Sequence, residues 1–474
     1  MREPLYISSR GDSRPLSFEE VLLKGLAPDE GLYLPDFSDD EMKNLIDIDG
    51  LKGKNYAETA YRIISPFIKG SPHISDGDLA EMCRQVYSDT VFDHAAVAPL
   101  KQLDNNLWGL ELFHGPTFAF KDYALQLVGK MFDHVLKQKN EYLTIIGATS
   151  GDTGSAAIQS VRKAKNIRIF MMHPFKKISD MQRKQMVTVT DKNVYNLAVK
   201  GNFDDCQNIV KSLFGDAELN RTVNLGAVNS INFARIMAQI VYYFYAGINL
   251  GADQRPVDFI VPTGNFGNIF AAFLAKKMGL KINRLLIASN ANDILPRFLA
   301  SGVMERKNGI ASLSPSMDIQ ISSNFERLLY YAANRDTATV SRLMKQFKET
   351  GVFTADDTIM KNIRQTFSAV SVSDDETLAS IRETYVKCKE ITDPHSAVAV
   401  AAARKHLENS ALPAIAILTA HPAKFVSTVE KAINIRPPLP SPLKRLETMD
   451  EKYDIIENSV RAVKDYILKN KPSA

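Results

Sequence analysis

Apolar residues recur at helical spacing through the first part of the chain, most clearly over Ser17 to Leu26 and Tyr56 to Phe67. Prolines at Pro28, Pro35 and Pro72 mark turns between these segments. The spacing predicts a separate, mostly helical N-terminal unit. From about Leu107 the texture changes to short β-rich runs alternating with helical ones. LTIIGATS is followed by GSAAIQSVRKA and then IRIFMMHP, and later VDFIVPTG is followed by NIFAAFLAKKM. Strands alternating with helices predict an α/β fold, a parallel sheet with helices on both faces. The proline-dense RPPLPSPLKR, Arg436 to Arg445, reads as a linker to a final helix over roughly Glu447 to Leu468. The expected division is residues 1–95, a central region 96–435, and a linker and helix 436–474.

With 474 residues the chain is too long for one ordinary core, so two or three domains, or one large domain with an appendage, are expected. Hydrophobic residues at 45% and charged residues at 24% match a folded globular protein and exclude a disordered or fibrous one. A net charge of +4 without any long Lys/Arg block gives nucleic-acid binding no support. Cys83, Cys206 and Cys388 lie far apart, which suggests neither a disulfide framework nor a zinc site. No stretch approaches the roughly twenty apolar residues of a membrane span. The N-terminus MREPLYISSRGDSRP lacks the apolar core of a secretory signal, so the expected location is the cytoplasm.

Three junctions carry candidate chemistry, and in an open α/β sheet ligands gather at the carboxyl ends of the strands. In GATSGDTGSAA, the residues Thr149, Ser150, Gly151, Asp152 and Thr153 stand between an apolar strand and a small-residue helix. Backbone N–H groups at that helix start would point at an anion, although a capped turn has the same composition. In VPTGNFGNIFAA, Gly264 and Gly267 permit close backbone approach, and Asn265 and Asn268 flank Phe266 before a helix. The spacing is neither GxGxxG nor a Walker loop, so dinucleotide and nucleoside-triphosphate binding are both poorly supported; a plain turn remains the bland reading. In FHGPTFAFKDYALQLVGKM, Lys121 opens an apolar helix beside Phe118 and Phe120. Such a lysine either snorkels to water or is desolvated into a neutral amine able to form a Schiff base.

Taken in order, FHGPTFAFKD, ATSGDTG, NSIN, TGNFGN and LTAHPAKF resemble the threonine synthases, pyridoxal-phosphate enzymes of fold type II. The resemblance runs from SFEEVLLKGLAPDEGLYLPD to LTAHPAKF, most of the chain. It implies two parallel-sheet α/β lobes with a mostly helical N-terminal domain, Lys121 as the Schiff-base lysine, and Gly264, Asn265, Phe266, Gly267 and Asn268 around the cofactor phosphate. Thr419 would face the pyridine nitrogen, and a hydroxyl there would not hold that nitrogen protonated. Thr149, Ser150, Gly151, Asp152 and Thr153 would take the substrate carboxylate. Ser230, Asn232 and Arg235 of NSINFARI would take the substrate phosphate, arginine being suited to a bidentate grip. Lys176, Lys177 and Arg183 are further candidates for that phosphate, or simply a charged face in solvent. Thr263 and Asn268 depart from the serine and aspartate frequent in the family's loop.

An aspartate beside a substrate carboxylate would repel it, so either Asp152 points away or its surroundings alter its protonation. The implied activity is a carbon–oxygen lyase that converts O-phospho-L-homoserine and water to L-threonine and phosphate, the last step of threonine biosynthesis. The rivals are a related phospholyase releasing a keto acid, and a non-catalytic anion binder on the same fold. The partner is a small molecule, with no nucleic acid and no membrane, and the protein is expected as a monomer or homodimer.

Overall fold

The computed structural model describes residues 2–11, 14–149, 151–226 and 229–471. Local signals set the N-terminal helices. Ser17 with Glu20, Asn55 with Glu58, and Ser75 with Asp78 form reciprocal capping boxes at the starts of Phe18–Lys24, Tyr56–Ile68 and Asp76–Val86. The region is not purely helical: Tyr6–Ser8 and Tyr33–Pro35 pair antiparallel. Pro35, expected in a turn, ends that strand, where its missing N–H interrupts no ladder.

A six-stranded sheet runs in the order Phe367–Ser371, Ile282–Ser289, Val257–Pro262, Ala414–Leu418, Leu107–Glu111 and Leu100–Asp104. All its pairings are parallel except the last, at the Leu100–Asp104 edge. The second lobe is a five-stranded sheet of Asp454–Ile456, Val194–Val199, Ile167–Pro174, Leu143–Ala148 and Leu225–Gly226, parallel throughout. The two parallel-sheet lobes implied by the resemblance are both present, the larger one carrying a single antiparallel edge strand. The strand Val257–Pro262 is buried at every position and carries no alternation, as a strand covered on both faces must be.

One continuous core reaches from Tyr6, Phe18 and Phe67 of the N-terminal region through Phe233 to Ile417 of the large sheet. The helix Phe233–Asn249 is its axis, buried on nearly every face. The chain end differs from the long final helix expected. Ser441–Arg445 is a short helix, Asp454–Ile456 becomes an edge strand of the second sheet, and only Val460–Lys469 forms the last regular helix. Helical spacing could not anticipate the edge strand, because the pairing that makes it comes from Val194–Val199. No helix among the described residues is long and apolar enough to cross a membrane.

Candidate active site

The strands Val257–Pro262 and Ala414–Leu418 lie side by side and parallel, with Ala416 opposite Ile260. Their carboxyl ends therefore deliver the TGNFGN turn and Thr419 to one edge of the sheet, about 5 Å apart in the strand-pairing direction. Lys121 is brought to the same edge by backbone alone. The Phe120 N–H donates to the Thr419 carbonyl at 2.9 Å, the His421 N–H donates to the Phe118 carbonyl at 3.1 Å, and Ala119 bridges Ala420. The next residue opens the helix Lys121–Lys139.

The Lys121 side chain is half-buried, and among the described residues its ammonium has no hydrogen-bond or ion-pair partner; Nζ lies 5.7 Å from the Phe120 ring. Burial lowers its pKa from 10.5 to about 8, opposed by the charge of Asp152 and assisted by those of Lys424 and Arg235. Its neighbour Asp122 is fully buried and accepts the Thr117 N–H and hydroxyl, both at 2.8 Å. Burial pushes that carboxyl up to about 6 against these bonds.

Two helices start at the site with no cap from the side chain of their own N-cap residue, which leaves N–H groups of the first turn open to an anion. One is Gly267–Lys277, entered through Phe266 at φ 65°, a left-handed conformation costly for a bulky residue. The Phe266 ring is buried against Phe325 at 5.1 Å, so it anchors the turn while its backbone faces the site. A side chain at Gly264 would meet the Ser316 carbonyl at 3.1 Å. Asn265 presents its carbonyl to Asn324, whose N–H and side-chain amide both donate to it. Buried Asn268 accepts the hydroxyls of Tyr242 and Tyr243, at 2.5 and 2.7 Å, and its Nδ2 has no partner.

The other uncapped helix is Asp152–Val161. Thr149 follows the strand Leu143–Ala148 and accepts the Gly151 and Gly154 N–H groups, at 3.0 and 2.9 Å. Gly151 has φ 144°, and a side chain there would strike Gln182. Thr153 is half-buried on the first turn, and Ser150 lies outside the described residues. Asp152 is buried, with Oδ1 accepting Gln182 Nε2 at 2.9 Å and meeting Lys424 Nζ at 2.6 Å. Burial would raise its pKa, but Lys424 and then Lys121 outweigh it and hold the carboxylate well below its ordinary range.

Ser230 and Asn232 precede the helix Phe233–Asn249, and Arg235 lies in its first turn. Asn232 caps that helix through Oδ1 and gives Nδ2 to the Leu22 carbonyl at 2.9 Å, so its side chain is committed to the fold. Arg235 is buried, and its Nε and Nη1 have no partner. Burial lowers its pKa to about 10, and a buried guanidinium without an acceptor is a site made for an anion. Lys176 and Lys177 face solvent, and Arg183 is tied to Asp180 and Glu451.

The geometry also collects residues that sequence reasoning passed over. Lys424 stands inside the LTAHPAKF motif yet was not singled out. Gln182 belongs to the helix Asp180–Val187, whose charged sequence reads as a surface face. Asp393, in DPHSAV, is fully buried and accepts the Ser396 hydroxyl and His395 Nδ1. Ser396 Oγ in turn accepts the Thr419 N–H at 2.9 Å, and His395 Nε2 accepts the Ser316 N–H at 3.1 Å, which fixes the ring proton on Nδ1. One carboxylate thereby orients Thr419 and the segment lying over Gly264.

Two α/β lobes, with a desolvated lysine and a glycine turn gathered at strand ends, are the arrangement of a pyridoxal-phosphate-dependent enzyme of fold type II, and residues 91–422 match the family described as pyridoxal-phosphate dependent enzyme. Residues 5–87 match the threonine synthase N terminus and residues 396–467 the threonine synthase C-terminal region. The threonine synthase of Pseudomonas aeruginosa is 47% identical over 98% of this chain and 97% of its own length. That of Saccharomyces cerevisiae is 42% identical over 98% of this chain and 97% of its own. The crystal structure of the pyridoxal-phosphate-bound threonine synthase from Brucella melitensis superposes with a TM-score of 0.93 at 46% identity, covering 99% of this chain and 100% of that one. The chain belongs to the threonine synthase family.

Pyridoxal phosphate is the family's cofactor, and the residues present fit it. A poorly solvated amine, two uncapped helix starts and the unpartnered nitrogens of Asn268 and Arg235 are what an aldehyde and the anions of cofactor and substrate require.

Proposed function

We propose that the protein converts O-phospho-L-homoserine and water to L-threonine and phosphate. The observation that carries this reading is the buried guanidinium of Arg235, unpartnered and close enough for its charge to act on Lys121. A second anion site beside the lysine suits a substrate that brings its own phosphate.

Lys121 would hold the cofactor's aldehyde carbon, and the backbone of Gly264, Asn265, Phe266 and Gly267 its phosphate. When bound, the cofactor supplies an electron sink for charge developing on the substrate carbons. The protein does the remainder. The N–H groups at the start of Asp152–Val161 receive the substrate carboxylate, while Arg235 and Ser230 receive its phosphate. The Lys121 amine would take the proton from the substrate Cα and return protons further along the substrate. Its lowered pKa leaves a usable fraction of neutral amine near neutral pH. Phosphate departs from Cγ, and water adds its oxygen at Cβ. Thr419, whose N–H is held by Ser396 and through it Asp393, would offer the ring nitrogen a hydroxyl rather than a carboxylate.

Purified enzyme given O-phospho-L-homoserine should release threonine and phosphate in equal amounts. Accumulation of 2-oxobutyrate with no threonine would instead establish a phospholyase. Lys121→Ala should abolish turnover together with the visible absorbance of the bound cofactor.

A further inference from the structure

Lys424 is an unusual lysine. Its side chain has no exposed surface, and it sits in the short turn Pro422–Lys424 just past Thr419. Two acceptors hold its ammonium, Asp152 Oδ1 at 2.6 Å and the Thr117 carbonyl at 2.8 Å. Thr117 is the residue whose N–H and hydroxyl hold Asp122, beside Lys121. A fully buried lysine is costly unless paired, so its position calls for a physical reason.

The reason lies in the charges around the helix start. Asp152 is the first residue of Asp152–Val161 and remains ionised, and a bare carboxylate there would repel an incoming carboxylate while offering Lys121 a counter-ion. The charged groups acting on Lys121 are Asp152, Lys424, Arg235 and Asp122. Of these, Asp152 favours the ammonium form most strongly, and Lys424 is the strongest opponent among the charges.

We propose that Lys424 is a positioning residue for the reaction: by cancelling the Asp152 charge it keeps the Lys121 amine from becoming an ion-pair partner and lets the start of the helix Asp152–Val161 accept the substrate carboxylate. The proposal rests on the reading of function given above. Gln182, bonded to the same Asp152 oxygen, fixes the carboxylate so that its charge stays on the Lys424 side.

The test follows Lys121 itself, by competitive isotopic acetylation of the full-length protein freed of cofactor, read by mass spectrometry across pH. Wild type should show half-titration near pH 8. In Lys424→Met the midpoint should rise by about one pH unit or more, because Asp152 is left to Lys121 alone. In Asp152→Asn it should fall, because Lys424 is then unopposed. A structural role for the pair predicts no such opposite movement, and an unmoved midpoint in Lys424→Met, or two shifts of the same sign, would overturn the proposal.

If a lone buried charge prevents either single variant from folding, Asp152→Asn combined with Lys424→Met carries the test. A midpoint within about half a unit of wild type supports the proposal, and a larger displacement overturns it. In the cofactor-loaded enzyme, Lys424→Met should raise KM for O-phospho-L-homoserine about tenfold, and the double variant should recover most of that loss. A KM within about twofold of wild type would remove the carboxylate half of the proposal. The acetylation result does not depend on which product is formed, so a failure of the functional reading, seen as wild type making no threonine, stays distinguishable.

Discussion

Lys121 is more readily deprotonated in the folded protein than in the unfolded chain, and that difference is a stability term. Burial lowers its pKa from 10.5 to about 8. Below pH 8 both states hold the proton and the full penalty of a buried ammonium is present. Between about 8 and 10.5 the folded state loses its proton first, so this contribution to stability rises with pH, and above 10.5 it vanishes. At about 1.4 kcal/mol per pKa unit the penalty is at most about 3 kcal/mol, since the half-buried side chain still meets some water. Cofactor-free Lys121→Met should therefore be inactive yet more stable than wild type at pH 7 in urea unfolding. The advantage should shrink as pH approaches 10.5, and a variant less stable at both pH values would show that the amine is not desolvated.

Among the elements, the start of the helix Phe325–Ala332 holds the site together through the backbone of the glycine turn and of the NSIN segment. Arg327 is wholly buried there, and burial lowers its pKa to about 9. Its guanidinium donates to the Tyr33 carbonyl through Nε and Nη2 at 3.1 and 3.0 Å, to the Ile231 carbonyl at 2.6 Å, and to Asn324 Oδ1. Asn324 then donates to the carbonyls of Asn265 and Ser230, at 2.9 and 3.1 Å. A strand of the N-terminal region, the NSIN segment and the glycine turn thus share one cation. Arg327→Met would leave these acceptors unpaired and should cost about 3 kcal/mol or more of stability. Because Asn265 and Ser230 lose their anchor, cofactor dissociation should also quicken by about tenfold, read as the decay of absorbance on dilution. Lost stability with unchanged cofactor retention would confine Arg327 to the fold.

At the scale of the whole molecule, the chain end fastens the two lobes together. The strand Asp454–Ile456 extends the smaller sheet, and Val463 and Ile467 of the last helix pack with Cys206, Ile209 and Leu213. Leu443 joins Phe118 and Ala423 of the large lobe, with Met181 of the Gln182-bearing helix packed against them. Glu451 pairs with Arg183, and the Lys452 N–H donates to the Val187 carbonyl at 2.7 Å. Leu443→Ala should lower the unfolding free energy by about 2 to 4 kcal/mol, the range for a buried leucine that leaves a cavity. It should also raise KM, because Phe118 lies next to the residues that place Lys121. A loss of stability with KM unmoved would mean that the tail clamps the lobes without bearing on the site.

The sequence by itself determined the local features: the capped helices, the apolar strands LTIIGA and VDFIVP, the glycine turn and the helix opening at Lys121, because capping, spacing and backbone freedom act over a few residues. The five ordered motifs also pointed to the family to which the chain belongs. Only the tertiary structure decided that the tail supplies an edge strand, that the Asn232 side chain is spent on the fold, and that Asp152 is answered by Lys424. Those outcomes depend on groups distant in the chain meeting in a place from which water is largely removed, and neither the partner nor the loss of water is written in the neighbouring residues.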